Sequence, residues 1–179
     1  MAGVPRVLAS RRLRETWPPI SEDDVELPSG HRKQWVRLQF GDSAAILPLT
    51  KDREVVLTRE YRHGLGRVAI ALPGGICENG ETPEACAHRE LMEETGLKAG
   101  RLLHLYSGNS LTSYLEGTLH IFFAGDCAWT GQAPDPDEVQ ALEKLTPTRA
   151  LDLARRGEFE STIVALAILL ADARGWLIS

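Results

Sequence analysis

The stretch GGICENGETPEACAHRELMEETGL, residues 74–97, decides how the rest of the chain is read. One turn and one helix carry six acidic residues, Glu78, Glu81, Glu84, Glu90, Glu93 and Glu94. The helix is well punctuated. Thr82 stands at the N-cap, Pro83 at the first helical position, Glu84 in the first turn and Gly96 just past the end. At about 100° per residue, Glu94 falls about 40° to one side of Glu90 and Glu93 about 60° to the other. Three carboxylates therefore share one sector, with Ala85 and Met92 expected to point away from it toward a core. Arg89 precedes Glu93 by four residues and pairs with it, leaving Glu90 and Glu94 without a helix cation. Like charges at this spacing cost about 0.2–0.5 kcal/mol per pair. A solvated acidic face is one reading. The other is a site for hard divalent cations, which take carboxylate oxygens and share their remaining shell with water and phosphate. The "ALPGG" turn before the helix lets bare backbone approach such an ion.

The whole chain sets wider bounds. Its 179 residues suit one domain with a small N-terminal extension, and 43% hydrophobic with 25% charged residues is an ordinary globular balance. A formal net charge of −5 argues against a nucleic-acid binder or a membrane-surface binder, both of which need a basic face. An acidic site serving an anionic substrate needs metal ions between them. Cys77, Cys86 and Cys127 are odd in number and lack CxxC spacing, so neither a disulfide framework nor a zinc site is expected. Reduced thiols in a cytoplasm fit them. The N-terminus has no apolar signal core, and the longest apolar run, residues 163–171, falls short of the ~20 needed to span a bilayer.

Strands are expected at 23–40 as a pair around Pro-Ser-Gly, at 44–49, 54–61, 67–75, 102–107 and 118–125, from alternating and β-branched residues. Two further helices are expected from Thr146-Pro147 to Gly157 and from Ser161 to about Arg174. This order predicts an α/β fold, an α/β/α sandwich with a mixed sheet. The acidic, Pro-rich segment 130–138 reads as a loop walling a site.

The spacing of the opening stretch carries a resemblance. Gly75, Glu81, Arg89-Glu90-Leu91, Glu93-Glu94 and Gly96-Leu97 fill all nine fixed positions of the Nudix box, G-x5-E-x7-R-E-U-x-E-E-x-G-U with U apolar. The chain resembles a Nudix hydrolase. Segments on either side, including "REYRHGLGRVAIALPGG" and "LTPTRALDLARRGEFESTIVALAILLA", are similar to the ADP-ribose pyrophosphatase and nucleoside diphosphate sugar hydrolase subfamily. That resemblance implies an N-terminal antiparallel strand extension over 1–43, a Nudix domain over 44–179, and a homodimer that exchanges the extension. It implies a small-molecule nucleotide substrate, Mg²⁺ with Mn²⁺ as the alternative, and attack of a metal-activated water on one phosphorus of a diphosphate. The products would be a nucleoside monophosphate and a sugar phosphate.

Carried onto this sequence, Glu90 and Glu94 become metal ligands, Glu93 ligand or base, and the Gly74 carbonyl completes the set. Arg89 and Glu81 orient loop and helix. Arg62 holds phosphate or the terminal sugar, Trp17 stacks on the nucleobase, and Glu138 is the loop acid near the metals or the water. Some subfamily positions differ. Ala71 replaces a glutamate, Pro136 replaces a second loop acid, and "GNSLTSYLEG" replaces an S-P-G loop, with Glu116 out of register. These differences keep other substrates open: GDP-mannose, a dinucleotide or a nucleoside triphosphate. A Nudix-fold sensor that binds without cleaving is the remaining alternative, although the box carboxylates are all present.

Overall fold

The computed structural model describes residues 4–134 and 139–178, and the chain divides into two compact units. One unit takes the N-terminal segment up to Asp42 together with Gly108–Leu119; the other takes Ser43–Ser107 and the chain from His120 onward.

The first unit is a four-stranded sheet in the order β1-β2-β3-β10. β1 (Arg6–Arg14), β2 (Ile20–Glu26) and β3 (Arg32–Gln39) run antiparallel, and β10 (Leu115–Glu116) joins β3 in parallel. β1 went unread in the sequence because every one of its residues is exposed, so it has no buried face to alternate with. Its place is set instead by the ladder and by cross-strand pairs such as Arg6–Glu26 and Arg11–Glu22. At the centre, the Arg37 guanidinium lies 2.9 Å from the buried Asp23 carboxylate, which also accepts from Ser10. Arg37, then Ser10, hold the Asp23 carboxyl below its ordinary value.

The second unit is built on an eight-stranded sheet. Its main path is β12 (Ala141–Leu145), β5 (Val55–Arg62), β4 (Ser43–Thr50), β11 (Leu119–Trp129) and β8 (Leu97–Lys98). β6 (Arg67–Ala71) pairs with β5, β7 (Gly74–Ile76) with β4, and β9 (Arg101–Gly108) with β11. The expected single strand at 67–75 is split, because Leu72 and Pro73 leave the ladder of β5 before Gly74 joins β4.

Three helices, α1 (Pro83–Thr95), α2 (Pro147–Arg155) and α3 (Thr162–Ala173), match the expected ones to within a residue or two. Neighbouring residues on β11 point to opposite faces, and this defines the layers. Phe122 joins Ala44, Ile46, Cys86, Ala87 and Leu91 beneath α1. Phe123 meets Trp176, just past α3, with ring centres 5.6 Å apart. The α/β/α sandwich follows, and β4 is buried along nearly its whole length as a central strand should be. Among the described residues no helix is long and apolar enough to cross a membrane.

Candidate active site

α1 begins where its sequence says it should. The Thr82 hydroxyl accepts from the Ala85 N–H at 3.2 Å, and Gly96 closes the helix at φ +71° with its N–H on the Met92 carbonyl. The buried face, however, differs from the expected one. Ala85 is exposed and Met92 only half-buried, while Cys86, Ala87, Glu90, Leu91, Glu94 and Thr95 point inward. Glu90 and Glu94 share the core-facing stripe with Leu91, and retain only 7% and 5% of their surface. Two carboxylates this buried cannot be read as a solvated face.

Arg89 holds the arrangement. Its Nε and Nη2 donate to the two Glu81 carboxylate oxygens at 3.1 and 2.9 Å, a two-pronged contact that fixes turn to helix. Nη1 reaches Glu93 at 3.1 Å and Glu90 at 2.7 Å, and Nη2 also reaches the Ile76 carbonyl at 3.2 Å. The expectation that Glu90 has no helix cation is thus corrected. Arg89 serves it from the adjacent position, because the long side chain folds back along the helix face. Glu81 further accepts from the Glu78 N–H at 3.0 Å. Arg89 foremost, then this N–H, hold the Glu81 carboxyl below its usual range. Hydrogen bonding to Glu81 and Glu90 pushes Arg89 upward, so the guanidinium is charged at every working pH.

The two glycines at the turn have different physical reasons. The Gly74 N–H donates to Glu94 at 2.7 Å, which seats the turn directly on the second buried carboxylate. Gly74 has φ +154°, and an added Cβ would sit 2.8 Å from the Ala45 Cα, a backbone clash. At Gly75 a Cβ would instead lie 2.6 Å from Glu90 Cδ, in the space the carboxylate needs. Gly75→Ala is therefore expected to fold and to displace Glu90. Turnover should drop by about 10²-fold, as for other displacements of about 1 Å at a reacting centre, with little change in melting temperature. Gly74→Ala should lower the melting temperature instead. Steady-state kinetics and thermal melts on both variants check this, and equal behaviour of the two would refute it.

Arg62, Trp17 and Glu116 have partners of their own. Arg62 ends β5 with its guanidinium 2.9 Å from Glu60, itself 9% exposed and hydrogen-bonded to Thr58. Glu60 was not anticipated, although its position in the β5 alternation is the one signal that marks it as buried. Trp17 belongs to the first unit, half-exposed and edge-on to Phe40 at 4.9 Å. Glu116, also in that unit, takes Arg37 and Gln39. Glu138 lies outside the described residues.

Among the described residues no group of three or more His, Cys, Asp or Glu side chains stands gathered as a metal cluster. The donor set still fits a hard divalent cation. Glu90 and Glu94 are nearly buried oxygen donors one helical turn apart, they flank a turn kept free of side-chain bulk at Gly74 and Gly75, and Glu93 stands beside them half-exposed. Arg89 would have to release part of its hold on Glu90 and Glu93 for them to turn toward an ion.

Comparison with known proteins bears on the family and the fold. A family model described as the NUDIX domain matches residues 39–166. An ADP-ribose pyrophosphatase of Bacillus subtilis is 29% identical over 148 residues, covering 82% of this chain and 80% of that protein. A GDP-mannose pyrophosphatase of Salmonella arizonae is 30% identical over 129 residues, covering 66% of each. A solved structure of an ADP compounds hydrolase shares the fold, with a TM-score of 0.82 at 23% identity over 99% of this chain and 96% of the other. With the family model spanning most of its length and every box position filled around Glu90 and Glu94, the chain belongs to the Nudix hydrolase family.

Proposed function

We propose that this protein hydrolyses the diphosphate of a nucleoside diphosphate sugar, with ADP-ribose first among candidates, to a nucleoside monophosphate and a sugar phosphate. The observation that carries it is the burial of Glu90 and Glu94 side by side beneath a glycine turn, in a place where the fold alone would put apolar residues.

Glu90 and Glu94, with Glu93 and the Gly74 carbonyl, are the groups that would hold Mg²⁺, or Mn²⁺. When bound, the metal supplies charge neutralisation of the diphosphate and acidifies a coordinated water. Arg89 and Glu81 set the spacing of these carboxylates and keep the turn against the helix. Water attacks one phosphorus, the phosphoanhydride bond breaks, and a carboxylate takes the proton. Glu93, with a half-exposed side chain, and Glu138 are the two candidates for that base. Arg62 offers a guanidinium to phosphate or the terminal sugar.

The same reading assigns residues 1–43 to a strand extension exchanged in a homodimer and 44–179 to the hydrolase domain, in a cytoplasmic protein. Exposed Val7, Leu8 and Leu13 along β1 support a partner surface there, and Trp17 would then stack on the base in the partner's site. Purified protein with Mg²⁺ should convert ADP-ribose to AMP and ribose 5-phosphate faster than it turns over GDP-mannose, UDP-glucose, FAD, NADH or deoxynucleoside triphosphates. Preference for another sugar nucleotide would reassign the pocket. No turnover with Mg²⁺ or Mn²⁺ would overturn hydrolysis and favour a nucleotide sensor.

A further inference from the structure

Two thiols lie at the joint between the glycine turn and α1. Cys86 lies fully buried in the core cluster with Ala44, Ile46 and Leu91, and Cys77, past the end of β7, packs partly buried against the same cluster. Burial first, and then the neighbouring Cys77 thiol, push the Cys86 thiol well above its ordinary value. Cys86 also donates to the Gly75 carbonyl at 3.8 Å and accepts from Arg89 Nη2 at 3.7 Å. Cys127 is placed elsewhere, with its thiol on the Ala124 carbonyl at 3.2 Å. Cys86 therefore touches groups that position the carboxylates, Cys77 packs against the same cluster, and neither thiol has a task in the hydrolysis.

We propose that Cys77 and Cys86 form a reversible disulfide under peroxide, and that this bond holds the enzyme in a low-activity state. The inference rests on the hydrolase reading for its activity arm alone. Cys77 is the more accessible sulfur, so the peroxide meets it first. Its sulfur attacks one peroxide oxygen, the O–O bond breaks, and Cys77 becomes a sulfenic acid as water leaves. The Cys86 sulfur then attacks that of Cys77, and the S–O bond breaks. The departing hydroxide takes the Cys86 proton as a second water. Two thiols are oxidised and one hydrogen peroxide is reduced. The bond closes a ring that contains Glu81. It also draws the Cys86 sulfur from Arg89 and removes the proton it gave to the Gly75 carbonyl, so the Arg89 fork loses the geometry that sets Glu81 and Glu90.

The test treats the full-length protein with hydrogen peroxide, blocks free thiols by alkylation and digests it. Trypsin releases Cys77 and Cys86 in one peptide, residues 68–89, which should be lighter by two hydrogens and carry no alkyl group. Cleavage after Glu78, Glu81 or Glu84 should leave pieces joined until dithiothreitol is added. Turnover should drop at least ~10-fold, within the ~10²-fold cost of about 1 Å of displacement at a reacting centre, and recover with dithiothreitol. Cys77→Ser should keep normal turnover and ignore peroxide, whereas Cys127→Ser should remain sensitive.

An alkylated or over-oxidised Cys77 beside a reduced Cys86 would overturn the proposal, as would a bond that leaves turnover unchanged. Should no substrate be turned over, the hydrolase reading fails by itself. The bond is then still judged by mass, and its effect by whether oxidation abolishes the rise in melting temperature produced by Mg²⁺ or Mn²⁺. An unchanged rise would overturn it.

Discussion

Glu94→Gln should lower kcat by about 10²–10³-fold, the range seen when one preorganised charge-stabilising group is lost, while the protein stays folded. The amide keeps the size of the side chain and one carbonyl oxygen, so it can still accept from the Gly74 N–H that now reaches the carboxylate at 2.7 Å. What disappears is the negative charge. Glu94 retains 5% of its surface and Glu90 7%, four residues earlier on the same face. A like-charged pair at this spacing costs about 0.2–0.5 kcal/mol even when exposed. Metal-free Glu94→Gln should therefore melt no lower than the parent, and by about 1–2 °C higher for ~0.5 kcal/mol in a chain of this size. With millimolar Mg²⁺ the order should invert, because an ion that binds the folded state stabilises the parent more than the variant. A loss of activity joined to a gain in metal-free stability is the signature of a residue kept for chemistry. Near-normal turnover in the variant would remove the metal assignment.

That signature explains why some of the site was legible in the sequence and some was not. The box announces itself because capping and chemistry coincide on one helix. Thr82, Pro83 and Gly96 mark its ends, and the carboxylates fall at helical spacing between them. Which face is buried could not be read the same way. Apolar periodicity is the only guide from sequence, and here the inward stripe holds two glutamates, so the pattern points to Ala85 and Met92 as the core side whereas Cys86, Ala87 and Leu91 fill it. β1 was hidden for the converse reason, since a fully exposed strand is stabilised by its ladder and ion pairs and has no apolar alternation.

Contacts from single side chains were the least legible. Arg89 at i,i+4 from Glu93 is visible by counting, but its reach to Glu81, to the Ile76 carbonyl and to the neighbouring Glu90 depends on how the turn folds back over the helix. The same holds for Cys77 and Cys86, nine residues apart and brought to one core cluster by the turn between β7 and α1. Arg62 and Trp17 rest on resemblance alone; the partner of Arg62, Glu60, is two residues back on β5, whereas the Trp17–Phe40 contact joins residues distant in sequence that no local pattern encodes.

Arg89→Lys should be as damaging as a larger change, although it keeps the charge. The guanidinium makes two parallel bonds to Glu81 and further bonds to Glu90, Glu93 and the Ile76 carbonyl, which a single ammonium cannot reach together. The largest thermodynamic consequence falls on Glu90, whose side chain is 10% exposed and would be short of this cation. Breaking a fully buried pair costs about 3–5 kcal/mol. Arg89 keeps 26% exposure, so the solvent-discounted cost is about 2–3 kcal/mol, or roughly 5–10 °C in melting temperature for a chain of this size. Turnover should fall about 10²-fold as the carboxylates lose their spacing.

The pH dependence has a definite sign. Arg89 holds the folded Glu81 carboxyl below its ordinary value of 4.5, so the stability of that pair is fully present above 4.5 and disappears as pH falls through the lower folded value. The gap in melting temperature between parent and variant should thus be constant near neutrality and narrow in acid below 4.5. Melts across that range, run beside kinetics at neutral pH, decide it. A lysine variant that matches the parent in both would show that Arg89 is a surface cation and that the turn is held to α1 by Gly74 and Glu94 alone.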